Sequence, residues 1–182
     1  MVRFTRIKVL FLIAFIMGIS CYGQDIVKGP IIVGYGDTYK VDNATYQPDF
    51  ANGLKIVFDI TKMGATPQQL SAQINTIARC INMHASNGVD IDDMDIYAVF
   101  HSEGTYTLYD QNAYLQKYKV DNPHYELIER LDEVGVKMYV CGQSLAARGV
   151  KSEDLHPKIN IALSAMTILT DLQMKGYGLI KF

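Results

Sequence analysis

Val136-Lys-Met-Tyr-Val-Cys-Gly-Gln-Ser-Leu-Ala-Ala-Arg-Gly-Val150 reads as strand, cysteine, helix, and the fold follows from it. Val136, Met138 and Val140 alternate with Lys137 and Tyr139 in a β-forming run that starts after Gly135 and ends at Cys141. Gly142 lets the backbone turn sharply, and Ser144 to Arg148 form a short predicted helix stopped by Gly149. A cysteine at the mouth of a helix meets unpaired backbone N–H groups and the positive end of the helix dipole. Both favour thiolate over thiol. Cys141 is therefore the candidate nucleophile, and Gly142, Gln143 and Ser144 are the candidate donors around it.

Moving outward, Leu54 to Ile60 and Met94 to Phe100 are apolar β-forming runs, and the residues between them carry a helical pattern. Thr66-Pro-Gln-Gln69 offers a capping box with proline at the first helical position, and Leu70, Ile74, Ile77, Ala78, Ile81 and Ala85 supply the apolar face. Residues 105–119 read as a weaker, tyrosine-bearing helix. Asn122-Pro123 caps another, which runs to Gly135. Beyond the opening stretch, Lys158 to Leu163 is expected to be a strand, Ser164 to Lys175 a helix, and Tyr177 to Phe182 a last strand. Strands alternating with helices predict an α/β fold, a mostly parallel sheet of about five strands covered on both faces. Ligand chemistry in such sheets gathers at the carboxyl ends of the strands. The loops at His101–Gly104 and Cys141–Gly142 should therefore converge.

The chain of 182 residues, 49% hydrophobic and 20% charged, has room for one globular domain. Arg3, Arg6 and Lys8 precede an apolar run from Val9 to Ile19, the pattern of a secretory signal peptide over residues 1–23. Cleavage before Gln24 is favoured over lipidation at Cys21. An exported, periplasmic chain without a transmembrane anchor is expected, since the run is shorter than the roughly 20 residues a bilayer requires. Loss of those three cations takes the net charge from −2 to −5. No Lys/Arg cluster supplies a footprint for nucleic acid. Residues 24–53, rich in Gly, Pro, Tyr and Asp, are expected to form an arm lying over the domain of residues 54–182 or over a neighbouring subunit.

Several residues have two readings. His101 is either a proton partner for Cys141 or a loop histidine satisfied by backbone. Arg148, seven residues beyond Cys141, either faces the thiol's side or complements the end of its helix. Glu103 is a proton donor if it lies close. Cys80 and His84, spaced i, i+4, would offer two metal ligands, and two do not make a site. No metal is expected, and the absence of Gly-x-Gly-x-x-Gly argues against a nucleotide cofactor.

The run Val-Cys-Gly-Gln-Ser-Leu-Ala-Ala-Arg-Gly-Val150 resembles the active-cysteine segment of DsrE/DsrF-like proteins, in which a strand-end cysteine is followed seven residues later by Arg-Gly and an aliphatic residue. Asn122-Pro123 with its helix, and Leu172-Gln-Met-Lys-Gly-Tyr177, extend the resemblance over residues 54–182. It implies a three-layer α/β/α domain that assembles as a homotrimer or hexamer. It further implies a sulfur carrier or sulfurtransferase-type protein in which Cys141 accepts sulfane sulfur as a persulfide; the residues themselves offer His101, Gly142, Gln143, Ser144 and Arg148 as substrate-binding candidates around it. Sulfur-relay members act in the cytosol with dedicated partners, so an exported member departs from them. No motif names a sulfur donor or acceptor. The alternative is a non-catalytic oligomeric binding protein of the same fold, with Cys141 structural.

Overall fold

The structure is a computed structural model that describes residues 25–182. The predicted signal peptide and Cys21 lie outside the described residues. The chain begins with two short strands, β1 (Ile26–Val27) and β2 (Thr38–Tyr39), paired antiparallel in the arm. The domain proper contains β3 (Leu54–Ile60), α1 (Ala72–Ser86), β4 (Met94–Phe100), a 3₁₀ helix (Ser102–Leu108), α2 (Gln111–Tyr118), α3 (Tyr125–Glu133), β5 (Lys137–Cys141), α4 (Gly142–Arg148), β6 (Asn160–Ala162), α5 (Ala165–Met174) and β7 (Gly178–Ile180). Five strands form one parallel sheet in the order β6-β5-β4-β3-β7. The chain thus winds from β3 outward to β6, then returns through α5 to the far side of β3.

Alternation along the strands divides the sheet into two faces. Ile56, Phe58, Ile60, Ile96, Ala98, Phe100, Met138 and Val140 face a main core built with Ile74, Ile77 and Ile81 of α1 and Leu127, Ile128 and Leu131 of α3. On the other face, among the described residues, Val57, Val99 and Cys141 pack with Ala165 and Leu172 of α5. The thiol therefore belongs to the thinly covered side of the sheet.

The arm lies on its own domain. Asn82 of α1 accepts the N–H groups of Ile31 and Ile32 and donates to the carbonyls of Ile32 and Tyr35, replacing the sheet or helix partners the arm lacks. Ile32 is buried in the main core.

Predicted helices change their limits: α4 starts at Gly142 rather than Ser144, α3 has its N-cap at His124 rather than at Asn122-Pro123, and two larger changes have tertiary causes. α1 begins after Ser71, five residues beyond the expected cap at Thr66, and residues 66–69 form a turn closed by the Gln69 N–H on the Thr66 carbonyl. Tertiary partners set the start: the Ser71 N–H donates to His124 Nε2 at 3.0 Å, and its hydroxyl donates to the Lys62 carbonyl at 2.9 Å. The single helix expected over 105–119 is a 3₁₀ helix followed by α2. It is broken because Tyr109 bridges to Leu155 and Asp110 then caps α2 by accepting the Ala113 N–H. Among the described residues no helix is long and apolar enough to cross a membrane, and no three His, Cys, Asp or Glu side chains group to hold a metal ion.

His124 joins these pieces. It is fully buried, accepts from Ser71 through Nε2 and donates through Nδ1 to Asn122 Oδ1 at 2.8 Å. Burial pushes its pKa down to about 4, so the ring stays neutral and can accept at Nε2. The unfolded chain takes up this proton near pH 6.5, whereas the folded chain resists it until about 4. Stability should therefore fall as pH drops through that window, by about 3 kcal/mol from this group alone. Denaturant unfolding of wild type and His124→Gln at a series of pH values checks this, with the variant expected to lose that part of the slope.

Candidate thiolate site

Cys141 ends β5 and is also the N-cap residue of α4, in extended conformation. Gly142 follows directly. A Cβ at this position would stand 2.9 Å from the Ala162 carbonyl oxygen and 3.4 Å from that of Leu163, so only glycine lets the β6–α5 connection close over the start of α4. The Gln143 side chain also reaches toward the Leu163 carbonyl, at 3.5 Å. Ser164 then caps α5 with a reciprocal capping box, its hydroxyl accepting the Thr167 N–H at 3.1 Å. The amino ends of two helices are thereby brought to one sulfur atom.

The Cys141 side chain is only 5% exposed, and burial alone would push its pKa up. It is nevertheless held below the ordinary thiol value by the Ser144 hydroxyl and by the backbone N–H groups of Ala165, Ser144 and Gln143. Donors beside a thiolate favour its charge, and here that effect outweighs the loss of solvent. Ser144 is itself oriented, because its oxygen accepts the Ser102 N–H at 3.3 Å. Ser102 has φ of 53°, a left-handed conformation that costs a non-glycine residue about 1–3 kcal/mol.

His101 continues β4 by one residue, its N–H donating to the Ile60 carbonyl at 2.9 Å. Its ring does not bond the thiol: Nε2 lies 2.6 Å from Asp59 Oδ1 and Nδ1 lies 3.2 Å from the Ser102 hydroxyl. Asp59, 4% exposed, also holds Lys181, with Nζ 2.7 Å from Oδ2. Arg148 lies at the other end of α4, with its guanidinium 5.9 Å from the Tyr106 ring centre, and is not brought to the sulfur. Glu103 lies in the first turn of the 3₁₀ helix, and its charge adds a little to the burial that raises the Tyr118 pKa. Cys80 and His84 touch at 3.5 Å on α1, where burial raises the Cys80 pKa to about 11, leaving that thiol protonated and inert.

Sequence reasoning placed Cys141, Gln143 and Ser144 together and missed Ala165, Asp59 and Lys181. Asp59 had a visible signal, a carboxylate inside the apolar run of β3. Ala165 contributes only its backbone, and nothing in its side chain marks it.

The DsrE/DsrF-like family profile matches residues 55–182. No curated protein matches the chain. Among solved structures, MTH1491 from Methanobacterium thermoautotrophicum, titled a protein of unknown function, is similar at 19% identity with a TM-score of 0.52, covering 71% of this chain and 99% of its own. The ychN protein from E. coli is similar at 15% identity with a TM-score of 0.51, over the same 71% and 99%. Both likenesses concern the fold.

Gly142→Ala tests how the site is built. An alanine inside a helix is ordinarily favourable by about 1 kcal/mol over glycine. Here it should instead destabilise by about 1–3 kcal/mol, because the Ala162–Leu163 backbone must move. The thiol pKa should rise as the Ala165 N–H withdraws. Thermal unfolding and pH-dependent alkylation read the two effects, and a variant more stable than wild type with an unchanged thiol would exclude this contact.

Proposed function

The chain belongs to the DsrE/DsrF-like family, and from that membership we propose that it is a sulfur carrier of the sulfurtransferase type, with Cys141 accepting sulfane sulfur as a persulfide. The observation that carries this reading is the place of Cys141, buried at the end of β5 where the first turns of α4 and α5 meet, with the Ser144 hydroxyl and the N–H groups of Ala165, Ser144 and Gln143 drawing its pKa below the ordinary thiol value. Sulfur transfer begins with attack by a thiolate, and the persulfide formed is again an anion that the same donors would hold. Gln143 and Ser144 are donors in this scheme, Gly142 permits the approach of the Ala165 N–H, and His101 is the proton partner. Arg148 enters only as a surface charge at the end of α4.

The proposal includes assembly and location. Leu163, Met166 and Met174, 74%, 78% and 84% exposed, lie on and beside α5, the single helix over the second face. A homotrimer or hexamer would cover such residues, since large exposed apolar side chains grouped on one face mark contact surfaces. The amino-terminal pattern of Arg3, Arg6, Lys8 and the apolar run is the ground for proposing export to the periplasm, with plain cleavage preferred to anchoring at Cys21.

One observation favours a second reading, a binding protein of the same fold with a structural cysteine: Cys141 is packed in the α5-side cluster. Intact-protein mass spectrometry after exposure to polysulfide or thiosulfate separates the two. One added sulfur atom per chain, removed by reductant and absent in Cys141→Ser, is expected. No gain in wild type, or an equal gain in Cys141→Ser, contradicts persulfide chemistry at this residue.

A further inference from the structure

Four side chains form a row across the carboxyl edge of the sheet on the α5 side. Val57, Val99 and Cys141 establish which face this is, and alternation puts Asp59 and His101 on it as well. Phe100 pairs with Val140, so His101, extended at φ −149° and one residue further along, stands beside Cys141 on the neighbouring strand, with about 4.8 Å between strands. Phe58 pairs with Ile180, so Lys181 stands likewise beside Asp59. The order across the edge is thiol, imidazole, carboxylate, ammonium.

The row is tied down at its Lys181 end. Gln73, buried in α1, accepts the N–H groups of Thr61 and Lys62 at 2.8 and 2.9 Å and donates to the Phe182 carbonyl at 2.7 Å, tying the exit of β3 to the chain segment that carries Lys181. Asp59 is buried and shared between His101 Nε2 and Lys181 Nζ. A buried carboxylate demands such partners, and an apolar residue would serve the strand better if packing were its only role.

We propose that Asp59 and Lys181 are positioning residues that hold His101 in the tautomer whose Nδ1 carries a lone pair, as the proton acceptor of Cys141. The Lys181 ammonium binds Asp59 Oδ2 and so holds Oδ1 toward His101, where it accepts the Nε2 proton and fixes the tautomer. The Ser102 hydroxyl occupies Nδ1 and is displaced when the thiol proton arrives. In that step the S–H bond breaks and the Nδ1–H bond forms, giving a thiolate and an imidazolium whose charge Asp59 balances. With thiosulfate as donor, the thiolate attacks the outer sulfur, the S–S bond breaks, sulfite leaves with the electron pair and takes the proton back from Nδ1. Charged groups face the ring from β3 (Asp59) and from the segment after β7 (Lys181), with the Cys141 thiol on β5. The first turn of α5 carries no ionisable side chain, and Arg148 of α4 is turned to Tyr106.

This proposal rests on the thiolate reading of Cys141, and alkylation by iodoacetamide tests it without any sulfur donor. In Asp59→Asn the amide can hydrogen-bond either tautomer, so the midpoint of alkylation rate against pH should move up by about one unit, a roughly tenfold loss of rate below the wild-type midpoint. Lys181→Met should move it in the same direction and Lys181→Arg should restore it. A structural role alone would lower the melting temperature and leave the midpoint in place. Coincident profiles for folded Asp59→Asn and wild type overturn the proposal. Should Asp59→Asn not fold, Lys181→Met and His101→Gln decide in the same way. A shifted midpoint in a protein that takes up no sulfur would count against the sulfur reading alone, whereas sulfur uptake with unshifted profiles would count against this one alone.

Discussion

The structure turns on the approach of two helix starts to one sulfur atom. α4 begins at Cys141 itself, and α5 begins at Ser164, more than twenty residues later and one strand over. The two starts come this close only because Gly142 leaves the Ala162 carbonyl room to sit near where a Cβ would be. In the order β6-β5-β4-β3-β7 the thiol lies at the carboxyl end of the sheet, where helix amino ends collect. The arrangement is thus a property of parallel winding, made close enough for hydrogen bonding by a single residue.

Burial and charge oppose each other at this position, and the balance gives the site its character. A thiol packed against Val57, Val99, Ala165 and Leu172 would ordinarily be a small apolar core residue. Oriented donors reverse that outcome without admitting water. The same physics, without donors, leaves Cys80 protonated on α1. Further toward the amino ends of the strands on this face, Asp95 is shared by Lys137 and Tyr177, and Tyr97 stacks near Tyr139. Polar groups on the α5 side are thus paired at both ends of the strands, with apolar packing between them.

The sequence carries the local part of this plainly. The alternation of Val136, Met138 and Val140, the turn at Gly142 and the stop at Gly149, which adopts φ of 61°, are neighbours in the chain and need no tertiary information. What was hidden depends on distant strands or on backbone atoms. Ala165 donates through its main chain, Lys181 matters only because β7 lies next to β3, and Asp59 becomes meaningful only once His101 is beside it. The expected helix start at Thr66 failed for the same reason. A local capping pattern was overridden by Ser71 binding to His124, fifty-three residues away.

The account depends on the Cys141 thiol titrating below its ordinary value, and the most direct test is an ultraviolet titration of thiolate absorbance, with wild type compared against Cys141→Ser to isolate this group. A midpoint for Cys141 clearly below the ordinary thiol value, with Cys80 still protonated at the same pH, is the predicted result. A Cys141 midpoint at or above the ordinary value would mean that burial dominates the donors, and the site would then be a packed core position rather than a place for sulfur chemistry.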